Sequence, residues 1–358
     1  MISALPRVKG IEVCEMKIRA FITHKQAEHF SDCQDRFSIN PNTKSIALAD
    51  GMSQSYQQKI WAELLVEEYT RNTKWVPNHF SVKELAPRWK EQVDQFVQQM
   101  KASGGPEYLI VMNENAIALK KSAGATFCGV RFNGNNWDAC ILGDSCMIEV
   151  EDYKIIDMYT SQQSESFDNH PDYFDSNPSK DGKGEPIKRT GELSKNKPVI
   201  MVSDPLADFL NKKRKSNEGE TTYLEQLLSV KSHNDFEDLV ARWRGDNMHN
   251  DDTTLMIIED DGRVDFRMEH VDDIDKLIKE EKEKQFAGKD ILRNECVSQA
   301  KKNSAEEKGV SEEEFLREGE KIVNRLYNLG LKKSKLEYKK PLRQLLRGLY
   351  ELFNISRK

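Results

Sequence analysis

No C-x-x-C pair occurs among the six cysteines (Cys14, Cys33, Cys128, Cys140, Cys146, Cys296). That excludes the usual zinc spacing and gives no disulfide framework in a chain this large. No apolar run approaches the roughly 18 residues that span a bilayer, and MISALPRVKGIEVCEMKIRA lacks the segments of a secretory leader. A cytoplasmic protein without a membrane span is expected. The sequence also has no G-x-x-x-x-G-K-[ST] loop, no H-E-x-x-H helix, no Cys-x5-Arg loop and no D-x-D-x-T motif. Those absences remove the P-loop, the zinc-protease helix and two ways of attacking a phosphate with a protein nucleophile.

What is present suits a globular core with a polar exterior. The 358 residues are 37% hydrophobic and 32% charged, and the mean hydropathy is −0.72, so the excess polarity belongs on surfaces, insertions or charged helices. The length suggests one large domain and a smaller one. Charge is uneven: residues 270–358 carry 21 Lys and Arg against 17 Asp and Glu, whereas residues 1–269 carry 33 against 43. The acidic front part is suited to cations more than to nucleic acid.

Short runs rich in Ile, Val, Phe and Cys recur through the first 260 residues. SIALA (45–49), ATFCGVRF (125–132), WDACIL (137–142), PVIMVS (198–203) and TTLMII (253–258) read as strands bounded by Asp, Gly, Asn or Pro. Asn-Gly between the second and third predicts an antiparallel hairpin. Helical spacing appears at 56–75 (Ile60, Trp61, Leu64, Leu65), at 82–101 (Leu85, Trp89, Val93, Phe96, Val97, Met100) and at 109–120. A strand, then long helices, then antiparallel strands predicts an α+β fold. Residues 160–197 are polar and rich in Gly, Pro and Ser, as in a functional insertion.

From about residue 272 the pattern is helical. Ser311 and Glu314 form a capping box ahead of Phe315, Ile322, Val323, Leu326 and Leu329, and Pro341 opens a second apolar stripe ending at Phe353. The expected organisation is a domain over 1–268, with 160–197 as a variable flap, and an all-helical appendage over 269–358. From Leu331 onward nine basic residues face two acidic ones. That tail is either a solvated helix face or a basic face for a protein partner, a membrane surface or nucleic acid, the last not expected without a nucleic-acid motif; docking onto the acidic front domain is a further alternative.

Aspartates mark the strand ends. Asp50 follows SIALA, Asp144 follows ILG, Asp204 follows PVIMVS, Asp251-Asp252 precedes TTLMII, and Asp35 precedes a strand at FSI. Each alone has a turn explanation. Together, at one edge of a sheet, they would repel one another unless protons or cations intervene. Oxygen ligands without His or Cys favour hard cations such as Mg²⁺ or Mn²⁺, and a pair of such ions can generate hydroxide and stabilise an in-line phosphoryl transfer.

The ordered set CQDRFSI, ALADGMSQS, GATFCGV, LGDS, VSDPLADFL and NDDTTLMII resembles the PPM family, the type 2C metal-dependent Ser/Thr protein phosphatases, especially the bacterial branch, over about residues 15–260. The resemblance implies an antiparallel β-sandwich flanked by helix pairs. It implies hydrolysis of phosphoserine and phosphothreonine in proteins by a metal-bridging hydroxide, with two Mn²⁺ or Mg²⁺ ions and room for a third. It assigns Asp50 to bridge both metals and the Gly51 carbonyl to one. Asp204 and Asp251 complete the other shell, Asp35 binds directly or through water, and Asp144-Ser145 has a structural role. Asp50, Asp204 and Asp251 are then the catalytic core.

Departures from the pattern are specific. ITHKQAEHFSDCQDRF offers His24, Lys25 and His29 but no arginine ahead of Asp35 for a substrate phosphate. Arg36 should point away from Asp35. Gln34, Met52 and Pro205 replace a glutamate, a histidine and a glycine of some relatives, and Lys121-Ser122 lies where many place an aspartate for a third metal. They leave two alternatives open: a phosphatase-like scaffold that recruits a partner through its tail, and a phosphatase of small phosphorylated molecules.

Overall fold

Alternate residues of SIALA face opposite ways, and both faces are buried. Ile46 and Leu48 enter one apolar cluster, Ala47 and Ala49 another, which requires a strand with protein above and below it. The computed structural model describes residues 16–162, 171–216, 219–260 and 266–284. In chain order the elements are β1 (Met16–Thr23), β2 (Arg36–Asn40), β3 (Ser45–Ala49), α1 (Gln58–Arg71), a 3₁₀ turn (Ser81–Leu85), α2 (Ala86–Ala102), α3 (Glu107–Ala118), β4 (Gly124–Ala125), β5 (Phe127–Asn133), β6 (Asn136–Leu142), β7 (Cys146–Glu151) and β8 (Lys154–Tyr159). Then follow β9 (Phe174–Asp175), β10 (Ile187–Glu192), β11 (Val199–Val202), α4 (Asp204–Ser216), α5 (Glu220–Leu228), α6 (His233–Gly245), β12 (Thr253–Asp260) and β13 (Phe266–Val271).

Six strands form one sheet in the order β13-β1-β12-β11-β7-β8, and five form a second in the order β10-β6-β5-β3-β2. All neighbours are antiparallel except β1 with β13. Between the sheets lie Ile18, Met147, Met201 and Met256 from the first and Ile46, Leu48, Val130 and Ile141 from the second. On the outer face of the five-stranded sheet, Trp61, Leu65 and Trp89 of α1 and α2 pack with Ala47, Ala49 and Phe127. On the outer face of the other, Phe209, Leu224, Phe236 and Trp243 of α4, α5 and α6 pack with Phe21, Ile200 and Ile257. The fold is thus an α+β β-sandwich with helices on both outer faces.

The expected strands and helices in the first 145 residues are present, including the β5-β6 hairpin, in which Asn133 pairs with Asn136. Four features differ from the sequence reading. Strand β1 went unread because Lys17 and Arg19 break its apolar run, yet Arg19 is buried at 3% exposure, donating to the Val230 carbonyl and to Glu259. Helices α4 to α6 went unread although Phe236, Leu239, Val240 and Trp243 of α6 keep helical spacing and Ser232 with Asp235 forms a capping box at its start. Asp144-Ser145 does not turn a hairpin within one sheet but carries the chain from β6 in one sheet to β7 in the other. Within 160–197, β9 pairs with β4 and the exposed, polar β10 forms a sheet edge.

The chain divides into two compact units, Met1–Gln26 with Asp32–Asp272, and Ala27–Ser31 with Asp273–Lys358. Strand β13 runs to Val271, within the first unit. In the second, residues 274–284 are helical, and Glu281 accepts from the Phe30 amide at 3.0 Å and meets His29 Nδ1 at 2.5 Å. The Ser311–Glu314 capping box, the 341–353 stripe and the basic tail lie outside the described residues. No helix among the described residues is long and apolar enough to cross a membrane.

Two tests address this frame. Trp61 is fully buried, and its Nε1 donates to the Phe174 carbonyl at 2.9 Å, joining α1 to the segment after residue 171. Trp61→Ala should destabilise the domain by about 3–5 kcal/mol in denaturant melts. At the end of β13, buried Asp272 accepts from the Ile22 amide and meets His233 Nδ1 at 2.8 Å and His270 Nε2 at 2.9 Å. Burial works against a charged His233, but hydrogen bonds to Asp272 and Glu237 outweigh it and raise the imidazole to about 9. The stability that His233 contributes is therefore full below its ordinary value of about 6.5 and is lost as pH rises through about 9. The melting-temperature gap between wild type and His233→Gln should shrink across that interval.

Candidate metal centre

Antiparallel pairing brings strand ends together. Arg36, at the start of β2, pairs with Ala49, at the end of β3. Val202, ending β11, pairs with Cys146 at the start of β7 and with Leu255 near the start of β12. The residues just beyond these ends therefore share one end of each sheet, and the β6-β7 crossover links the two ends. Asp35, Asp50, Asp144, Asp204 and Asp251 occupy those positions.

Each aspartate is fixed by its own backbone setting. The Asp50 amide donates to Thr126 Oγ1 at 3.2 Å and its carbonyl accepts from the Thr126 amide at 2.9 Å. Gly51 bridges to Ala125 of β4, and a Cβ there would meet Gln58 Cγ at 2.9 Å and the Gln34 carbonyl at 3.2 Å, so the turn needs glycine for close approach. Gly143, with φ +95°, directs the crossover, and Asp144 follows it buried. Asp204 is the first residue of α4, where a carboxylate complements the exposed amides of a helix start and Pro205 is tolerated. Asp251 precedes β12, with Lys25 Nζ at 2.7 Å from its Oδ1.

These carboxylates sense one another. Burial and then the charge of Asp252 push Asp35 up to about 7, against hydrogen bonds from Thr254 and Ser203. Burial, followed by Asp35, Asp204, Asp144 and Asp251, holds Asp50 well above the usual carboxylate range. Burial, followed by Asp144, Asp251 and Asp35, does the same to Asp204. Like charges this close disfavour joint ionisation.

Asp35 is the clearest case. It is fully buried; Oδ2 accepts from Thr254 Oγ1 at 2.6 Å, but Oδ1 has no hydrogen-bond partner. Among the described residues Asp35, Asp50 and Asp204 make no ion pair with Lys, Arg or His. The donors are all oxygens, and negative charge is in excess, which fits a hard divalent cation. Among the described residues no three His, Cys, Asp or Glu side chains gather tightly enough to hold one ion by themselves, so water or carbonyl oxygens such as that of Gly51 would have to complete any shell.

Other residues fall as follows. Arg36 donates to the Cys33 and Asp35 carbonyls, with Nε 3.9 Å from Glu63, so its guanidinium turns from the Asp35 carboxylate. His249 is 63% exposed, with Nδ1 4.0 Å from Asp251 Oδ2. The sequence reading missed the support around the aspartates. Asp252 accepts from the Lys25 amide at 2.9 Å and the Gln34 amide at 2.7 Å. Ser203 Oγ accepts from the Thr254 amide at 2.9 Å, and Thr126 Oγ1 shares a 2.7 Å hydrogen bond with Ser145 Oγ. The sequence signal for this shell is slight: Ser145 and Ser203 adjoin Asp144 and Asp204, whereas Thr126 adjoins no aspartate.

No family model matches the chain, and no curated protein does. Among solved structures it is similar to the S. agalactiae serine/threonine phosphatase, at 18% identity and a TM-score of 0.43, covering 69% of this chain and 100% of that one. It is also similar to serine/threonine phosphatase Stp1 from Staphylococcus aureus, at 13% identity and 0.43, covering 72% and 99%. A third is the catalytic domain of the phosphatase PstP in complex with two manganese ions, at 14% and 0.40, covering 68% and 97%.

Folded Asp35 keeps its proton to about pH 7, whereas an unfolded aspartate loses it near 4. The native state then binds more protons between those values, so the Asp35 contribution to stability falls as pH rises from about 4 to about 7. In chelator at pH 8, Asp35→Asn should melt above wild type, and the advantage should vanish near pH 4.

Proposed function

We propose that this protein is a divalent-metal-dependent phosphatase acting on phosphoserine and phosphothreonine in proteins. The observation that carries the reading is a group of aspartates, Asp35 and Asp144 buried and Asp50, Asp204 and Asp251 half-buried, delivered by separate strand and helix ends. Among the described residues Asp35, Asp50 and Asp204 have no cationic partner, and each has its pKa raised by burial and by neighbouring carboxylates. A structural turn does not call for that arrangement. The order of the motifs around the same residues, from CQDRFSI to NDDTTLMII, supports it independently.

In this reading Asp50 would serve both ions, and the Gly51 carbonyl would help to hold one of them. Asp204 and Asp251 would help to hold the other, and Asp35 would bind directly or through water. Mn²⁺ or Mg²⁺ bound there lowers the pKa of coordinated water and offsets charge on a phosphoryl group. The protein's own part is to fix the carboxylates before substrate arrives. Thr126 sets the backbone of Asp50, Thr254 orients Asp35 through Oδ2 and leaves Oδ1 for the site, and the start of α4 presents Asp204. None of these side chains needs to form a bond to phosphorus.

Substrate choice is assigned to the segment after residue 171. Strand β9 hydrogen-bonds to β4, whose Ala125 bridges Gly51. Tyr173 stands so near Gly124 that a Cβ there would lie 2.9 Å from its ring. That segment thus lies two pairing steps from Gly51, through β4. Across a phosphopeptide panel with Mn²⁺, wild type should release phosphate, and Asp50→Asn and Asp204→Asn should each lose at least about a hundredfold in kcat while keeping the wild-type fold by circular dichroism. A folded, metal-loaded wild type inactive on the whole panel would overturn the reading.

A further inference from the structure

Asp35, Asp50 and Asp204 make no ion pair among the described residues, but Asp251 faces a lysine, with the more exposed His249 Nδ1 4.0 Å from its Oδ2. Lys25 Nζ lies 2.7 Å from Asp251 Oδ1, with the two side chains only 20% and 28% exposed. The lysine is anchored at its backbone as well: its amide donates to Asp252 Oδ1 at 2.9 Å, and the next amide, of Gln26, donates to Asn250 Oδ1 at 2.8 Å. Asp251 is held from the other side, where Arg244 donates to its carbonyl at 2.6 Å and to the His24 carbonyl at 3.1 Å. Both ends of the ion pair are thus built into one hydrogen-bonded corner joining the β1 exit to the β12 start.

We propose that Lys25 is a built-in counter-cation of Asp251 which a divalent ion must displace, so that this one lysine lowers the metal affinity of the site. The inference rests on the metal-centre reading above. An ion reaching Asp251 competes with an ammonium already seated on Oδ1, and it enters a site whose net negative charge is one unit smaller because Lys25 is there. Both effects act in the same direction. The anchoring at Asp252 keeps the ammonium within reach, so the competition persists at every metal concentration.

The test is calorimetric titration of Mn²⁺ into the full chain, comparing wild type with Lys25→Met, Lys25→Gln and Lys25→Arg. Loss of an ion pair of this exposure should tighten Mn²⁺ binding about fivefold in both neutral variants, and Lys25→Arg should match wild type. Using two neutral variants of different shape guards against one that fails to fold, which melting curves in chelator report. If wild type binds Mn²⁺ and both neutral variants bind it equally or more weakly, the role of Lys25 is overturned and the metal centre stands. If wild type binds no Mn²⁺ at millimolar concentration, the metal-centre reading fails and takes this inference with it.

Discussion

Repulsion among carboxylates that cannot move apart is the constraint on which this molecule turns. Asp35, Asp50, Asp144, Asp204 and Asp251 are held by strand ends, a helix start and a crossover, not by flexible side-chain choice. Their charge cannot relax away except by protonation or by a cation. Burial favours the first, raising a carboxyl's pKa, and a bound cation would take the proton's place as the neutralising charge. The raised pKa values of Asp35, Asp50 and Asp204 express that tension in the absence of a counter-ion.

The sandwich is what keeps the tension in place. The inner strands, such as β3 and β11, are buried on both faces and locked in register by apolar clusters inside and outside. A one-residue slip in β3 would exchange Ile46 and Leu48 with Ala47 and Ala49 and would move Asp50 out of the site. Core packing and site geometry are therefore one problem. Fixed carboxylates also spare the protein reorganisation when charge develops on a substrate, which is the general advantage of a preorganised site.

The five aspartates were legible because strand ends announce themselves: an apolar run that stops on Asp can be read without a structure. Their convergence was legible only in outline, since it depends on which strands pair. The shell that tunes them was not legible. Asp252, Ser203, Thr126 and Thr254 act through single hydrogen bonds across more than fifty residues of chain or between sheets, and nothing local marks them. Lys25 was visible only as a basic residue in the stretch where an arginine was sought; its pairing with Asp251 depends on the β1 exit meeting the β12 start. Strand β1 escaped for a different reason, because buried Arg19 interrupts its apolar run, whereas α6 carries a readable helical spacing at Phe236, Leu239, Val240 and Trp243.

The central claim is that these carboxylates hold divalent cations, and anomalous diffraction from crystals grown with Mn²⁺ tests it most directly. The account predicts manganese peaks flanked by Asp50, Asp204 and Asp251, with Asp35 facing the same density directly or through water. Anomalous peaks confined to other surfaces, or none at millimolar Mn²⁺ with the aspartates arranged as described, would contradict it.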